Sequence, residues 1–202
     1  MFIPPWLLFL RGVNRWEQVM SQMITAEQVL HFWFEEISPK SWWIKDPEFD
    51  ALIQSRFEDL LKQAKRGELA DWRVTPQGRL AEIIVLDQFS RNIYRDTPAA
   101  FEADAIALVL AQEAVAQQVD QALKPKQVPF LFMPYMHSES PLIHQVAVKL
   151  FNREAAIANL AFELRHKEII DRFGRYPHRN KILGRESTAE EIAFLSQPGS
   201  SF

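Results

Sequence analysis

The sequence predicts an all-α fold, and three observations carry that prediction. A capping residue followed directly by proline recurs at Asp46-Pro47, Thr75-Pro76, Thr97-Pro98 and Ser140-Pro141. This arrangement opens helices, because proline's fixed φ suits the first turn and its missing N–H is not needed there. Between these starts the apolar residues fall at three- and four-residue spacing. Nowhere does period-two alternation run for the length of a strand.

The first helix opens at Thr25-Ala-Glu-Gln28, where a hydroxyl and a side-chain amide three residues apart can each satisfy a backbone N–H of the other. It carries Val29, Leu30, Phe32 and Trp33 toward a core, and His31 at its edge reads as structural. Asp46-Pro47 opens the second, with Phe49, Ile53, Phe57, Leu60, Leu61 and Ala64 on one face and Gly67 as the stop. A third runs from Thr75-Pro76 through Leu80, Ile83, Ile84 and Leu86 to about Asn92, and an alanine-rich fourth from Thr97-Pro98 to about Val119. Val128-Pro-Phe-Leu-Phe-Met-Pro134 is bracketed by prolines and reads as a tight extended connector. Ser140-Pro141 begins a fifth helical stretch, broken near Asn152, that reaches Phe173, where Gly174 suits a left-handed terminal position. Ser187-Thr-Ala-Glu190 caps a short last helix. Helices of about 12 to 22 residues with short connections pack as antiparallel hairpins, either as a bundle or as a short superhelix.

At 202 residues, 48% hydrophobic and 24% charged, the chain has the composition of one soluble globular domain. No Pro-, Gly- or Ser-rich linker divides it, so residues 20–202 are expected to form a single domain. Residues 1–19 are expected to be an extension upstream of it. The apolar run from Phe2 to Leu10 is too short to span a membrane, and Arg11 and Arg15 follow it where an export signal would carry its cations in front. A formal net charge of -3 excludes a general DNA-binding protein and argues against RNA as the partner. Cysteine is absent, which removes thiolate chemistry and fits the cytoplasm.

Two stretches and one loop concentrate chemistry. From Arg172 to Arg185 five cations and His178 stand without a carboxylate. A one-signed cluster repels itself, so something negative, either a ligand or the protein's own acids, is expected against it. In Leu86-Asp-Gln-Phe-Ser-Arg-Asn-Ile-Tyr-Arg95, Asp87 and Arg91 lie four apart on one helix face, as do Gln88 and Asn92. Asp87 either closes an internal ion pair or holds Arg91 ready to grip a phosphate or carboxylate. Arg95 is one turn on. His137 and Glu139 precede the Ser140-Pro141 start, where free N–H groups favour an anion and an imidazole beside a carboxylate can move protons. They can equally be a capped loop. His144 and His166 follow, but no pair of histidines has metal-ligand spacing on one helix, so neither a metal nor a cofactor is predicted. Trp42 and Trp43 cannot share one burial direction, and one of them can line a pocket.

The run Leu-His-Phe-Trp-Phe at 30–34, Trp42-Trp43 with Lys45-Asp-Pro-Glu-Phe-Asp50, Leu86-Asp-Gln-Phe-Ser-Arg-Asn92, Pro134-Tyr-Met-His-Ser-Glu139, and Arg172-Phe-Gly-Arg-Tyr-Pro-His-Arg-Asn180 with Leu183-Gly-Arg185 resembles the bacterial domain-of-unknown-function family 924. The resemblance covers residues 25–196 and implies an all-helical, tetratricopeptide-like fold. It carries no reaction. Two functional readings follow. In the first the motifs converge on a cationic cleft for a small anionic molecule, with Asp87, Arg91, Asn92, Arg95, Arg175, Arg179, Asn180 and Arg185 binding it. His137, Glu139 and His178 then serve as acid/base groups. In the second the hairpins form an interaction scaffold for an acidic peptide or protein, without chemistry.

Overall fold

The computed structural model describes residues 24–200. Its α-helices are α1 Ala26–His31, α2 Pro47–Lys65, α3 Pro76–Ile84, α4 Ser90–Ile93, α5 Asp104–Ala116, α6 Val128–Met136, α7 Pro141–Phe151, α8 Leu160–Phe173 and α9 Ala189–Leu195. No strand occurs among the described residues, and the fold is all-α. No helix among them is long and apolar enough to cross a membrane. The extension expected over residues 1–19 lies outside the described part of the chain.

Helix starts follow the capping chemistry. Thr25 Oγ1 accepts from Gln28 N at 3.2 Å while Gln28 Oε1 accepts from Thr25 N at 2.9 Å. Asp46 Oδ1 takes the N–H groups of Glu48 and Phe49, and Thr75 Oγ1 that of Gly78. At the last helix the reciprocal pair is Thr188 with Glu191, one residue beyond the expected Ser187 and Glu190. Thr97-Pro98 opens only a single 3₁₀ turn, Pro98–Ala100, and α5 begins at Asp104. The break near Asn152 is present, with a 3₁₀ segment Glu154–Asn159 between α7 and α8. Gly174 takes φ 69°, the left-handed conformation that ends α8.

The proline-bracketed segment expected to be an extended connector is instead the helix α6. Pro129 sits in the first turn, where it costs nothing. Pro134 lies in the interior and removes one backbone bond, yet every side chain from Phe130 to Met136 is buried. Tertiary burial outweighs the local penalty: a helix apolar all round belongs at the centre of a bundle. α6 contacts α3, α5, α7 and α8 there. Phe32, Phe57 and Phe89 pack in series as tilted rings with centroids 4.9 and 4.7 Å apart, and Phe130 meets Trp33 at 5.8 Å and Trp42 at 4.9 Å. Trp42 donates its indole N–H to Trp33 O at 3.0 Å, whereas its neighbour Trp43 is 61% exposed.

Apolar burial is divided. The main core runs from α1 to α7, while Ile169, Ile170 and Tyr176, with Phe173 and Phe194, form a separate small cluster at the C-terminal end. What joins that end to the rest is largely polar.

Candidate functional site

The α3 helix does not stop at Ile84 but widens into a π turn, Val85–Phe89, before resuming as α4. A wider turn departs from the 3.6-residue period, so Asp87 and Gln88 are buried together with Leu86 and Phe89 rather than facing the opposite side. Asp87 is 1% exposed. Its Oδ1 lies 2.7 Å from His137 Nδ1, and its Oδ2 accepts from Gln88 Nε2 at 2.5 Å. Arg91 stands 3.2 Å from Oδ1 and donates to the Asp87 carbonyl at 2.6 Å. Burial raises the pKa of Asp87, but His137, Arg91 and Gln88 outweigh it and hold the carboxyl well below the usual range. Burial first, then Arg91, pushes His137 below the ordinary histidine value against the pull of Asp87. At neutral pH the ring is therefore uncharged, with its proton on Nδ1 facing an acceptor-only carboxylate. His137 Nε2 has no hydrogen-bond partner among the described residues, and the side chain keeps 16% exposure.

Two guanidiniums flank this pair. Arg91 donates to Asp104 Oδ2 at 3.0 Å, and Arg179 reaches the same oxygen at 3.3 Å. Asp104 Oδ1 lies 3.0 Å from Arg91 Nη1 without hydrogen-bond geometry. Arg179 is 6% exposed, packs over the Phe101 and Tyr176 rings at 4.6 Å each, and gives Nη2 to His137 O at 3.1 Å. Its buried Nε has no hydrogen-bond partner. Burial and repulsion from Arg91 lower its pKa, which marks it as the least compensated charge of the group. Asp87 and Asp104 balance Arg91 and Arg179, so the cluster is neutral while His137 is neutral.

The remaining sequence-predicted residues lie in other networks. Asn92 and Arg95 both turn to Asp50 on α2, at 2.8 Å for the amide and 2.5 and 2.7 Å for the guanidinium. Arg175 grips Glu191 at 2.7 and 2.8 Å, and those hydrogen bonds hold the Glu191 carboxyl down to about 2. Glu139 accepts both guanidinium nitrogens of Arg185, at 2.6 and 2.9 Å, and the Tyr176 N–H at 2.8 Å. Although burial raises Glu139, these bonds keep it below its usual range, so it is a committed carboxylate rather than a proton carrier. Asn180 links Ser187 to Arg185. Burial, with Arg179 adding, pushes His178 down to about 4, which makes it a neutral ring 5.5 Å from that of Tyr176. The negative counterpart of the basic loop is thus the protein's own acids: Glu190 for Arg172, Glu191 for Arg175, Asp104 for Arg179 and Glu139 for Arg185.

Asp104 and Tyr176 join the cluster without any motif of their own in the sequence. Asp104 is one acid at the start of an alanine-rich helix, and Tyr176 one aromatic in a basic loop; neither carries a local signal. Two surface grooves lie elsewhere. One, of about 480 Å³, includes His31, Glu36, Arg56 and Phe57, and the other, of about 340 Å³, includes Arg73, Thr75, Arg79 and Gln117. Their guanidiniums are closed by Glu36, Glu82 and Glu113 respectively. The first groove also holds an imidazole on a carboxylate, His31 Nδ1 at 3.1 Å from Glu36, but that pair is exposed to solvent, whereas the His137–Asp87 pair is buried; burial of the pair rather than groove volume singles out the candidate site.

Residues 29–199 match the model of a bacterial protein family of unknown function, DUF924. The chain is also similar to a solved protein of unknown function from Agrobacterium tumefaciens, with 35% identity over 84% of this chain and 96% of that one and a TM-score of 0.78. No curated protein matches.

Proposed function

Since this chain belongs to the bacterial DUF924 family, whose members carry no assigned reaction, we propose a function from its own side chains: it binds a small molecule bearing a phosphate or carboxylate beside Arg91 and Arg179 and moves a proton at His137 Nε2. The observation that carries the proposal is the 2.7 Å contact between His137 Nδ1 and buried Asp87, with Nε2 left over. A carboxylate behind an imidazole fixes its tautomer, raises its basicity at the far nitrogen and stabilises the imidazolium that forms when a proton is taken. The neutral charge balance favours this use. Abstracting a proton creates an imidazolium and an anion together, the first facing Asp87 and the second facing the under-bonded Arg179. Arg95, Arg175 and Arg185 are engaged with internal carboxylates and are left out of the ligand site in this reading. The same engagement weighs against a scaffold that holds an acidic peptide on those residues.

Thermal-shift screening against phosphorylated and carboxylated metabolites tests the proposal. A ligand at 100 times its dissociation constant stabilises the folded state by about 2.7 kcal/mol. At least one such compound should raise the Tm of the natural protein and leave that of His137→Gln unmoved, while both proteins melt alike without ligand. No shift with any compound, or an equal shift in both proteins, refutes the site.

A further inference from the structure

α6 ends at Met136, and a helix end leaves its last carbonyls without partners. Here three consecutive carbonyls are each taken by a side chain from elsewhere. Tyr176 Oη donates to Met136 O at 2.5 Å, Arg179 Nη2 to His137 O at 3.1 Å, and His144 Nε2 reaches Ser138 O at 2.9 Å. A carbonyl only accepts, so His144 carries a proton on Nε2, and its Nδ1 is the nitrogen that faces Glu163 Oε1 at 2.7 Å. Tyr176 Oη lies 3.2 Å from the same Nε2 and can accept from it while giving its own hydrogen to Met136 O. Tyr176, His144 and Glu163 are each 0% exposed. Burial pushes the Glu163 carboxyl upward, which suits a proton shared between Oε1 and Nδ1 and lowers the cost of leaving Glu163 Oε2 without a partner.

Helix ends ordinarily fray, and a loosely held final residue would not keep its ring on a single acceptor. We propose that Tyr176 and His144, the latter oriented by Glu163, are positioning residues for His137: they clamp the carbonyls on either side of it and so fix the direction in which its ring leaves the backbone. The clamp rests on the acid/base role given above to His137, and it places a second carboxylate–imidazole pair behind the first, as support rather than as chemistry.

The test is ¹⁵N NMR of the histidine ring nitrogens in the ligand-free protein. The natural chain should show His137 fixed as the Nδ1–H tautomer. Tyr176→Phe keeps the ring against Arg179 and removes only the hydroxyl. His144→Asn keeps an amide toward Glu163 but does not reach Ser138 O, whereas His144→Gln restores a donor there. Tyr176→Phe and His144→Asn should shift the His137 ring signals toward the averaged tautomer mixture of a free imidazole, and His144→Gln should return them. Unchanged His137 signals in both Tyr176→Phe and His144→Asn overturn the proposal. Should Tyr176→Phe fail to fold, the contrast between the two His144 variants decides; loss of fold in all three assigns the network to stability alone and overturns the proposal as well. No ligand is needed for these signals. A fixed His137 that binds nothing therefore sinks the proposed function and leaves the clamp standing.

Discussion

Lowering the pH from about 7.5 to about 5 should weaken this fold, and the loss should trace to two buried histidines. Burial pushes His166 down to about 3 and His178 down to about 4 from an ordinary 6.5. A base whose folded pKa is depressed contributes its full stability above the unfolded value and loses it as pH falls toward the folded one. At pH 5 the unfolded chain has protonated both rings while the folded protein has protonated neither. Each pKa unit is worth about 1.4 kcal/mol, so the gap of roughly 1.5 units between 6.5 and pH 5 costs about 2 kcal/mol per histidine and about 4 kcal/mol in all. That is a large part of the roughly 5–15 kcal/mol that holds an ordinary domain folded. His137 is shifted the same way and adds to the loss. Glu163, whose carboxyl is raised, works in the opposite sense, since its protonated form is favoured by folding. The depressed acids Asp87, Glu139 and Glu191 begin to matter only below about pH 5, where their unfolded counterparts start to protonate. Urea unfolding followed by tryptophan fluorescence at the two pH values measures the difference, and the double variant His166→Gln with His178→Gln should flatten most of it. A urea midpoint that is the same at both pH values, or a pH dependence that survives intact in the double variant, refutes this reasoning.

Three further outcomes follow from packing and pairing. Gly78→Ala would place a Cβ 1.9 Å from the Trp72 carbonyl oxygen, a backbone atom that cannot step aside. It should cost about 3 kcal/mol, the upper part of the overpacking range, and an unchanged Tm would contradict it. Thr188→Ala removes the cap of α9 at a cost of about 1 kcal/mol, and hydrogen exchange should lose protection from Glu190 to Leu195 in that variant and not in Ser187→Ala. Glu139→Gln leaves Arg185 without its carboxylate and should destabilise by about 1.5–3 kcal/mol; a double-mutant cycle with Arg185→Gln that shows no coupling would dismiss the pair.

Helix existence was legible because it rests on local chemistry: Thr25, Asp46 and Thr75 open helices through their own side chains and neighbouring N–H groups. α6 was not legible, because its prolines argue locally against a helix and only its burial on all sides, a tertiary fact, overrides them. The candidate site divides in the same way. Asp87 and Arg91 belong to one helical run, and their pairing follows from their spacing. Asn92 and Arg95 share that run but face Asp50 on α2, 42 and 45 residues away in sequence, a partner that local spacing does not name. The acids that answer the basic loop come from α5, from the α6–α7 connection and from α9, at sequence distances that no spacing rule reaches.

That last arrangement governs how the chain can be assembled. Asp104 and Glu139 are synthesised well before Arg179 and Arg185, and the C-terminal apolar cluster is separate from the main core. An emerging polypeptide can therefore bury its aromatic centre with Asp104 answered by Arg91 alone and Glu139 still facing water, until Arg179 and Arg185 join them. A chain cut short of residue 185 would then keep the residues of the main apolar core and lose the guanidinium that answers Glu139.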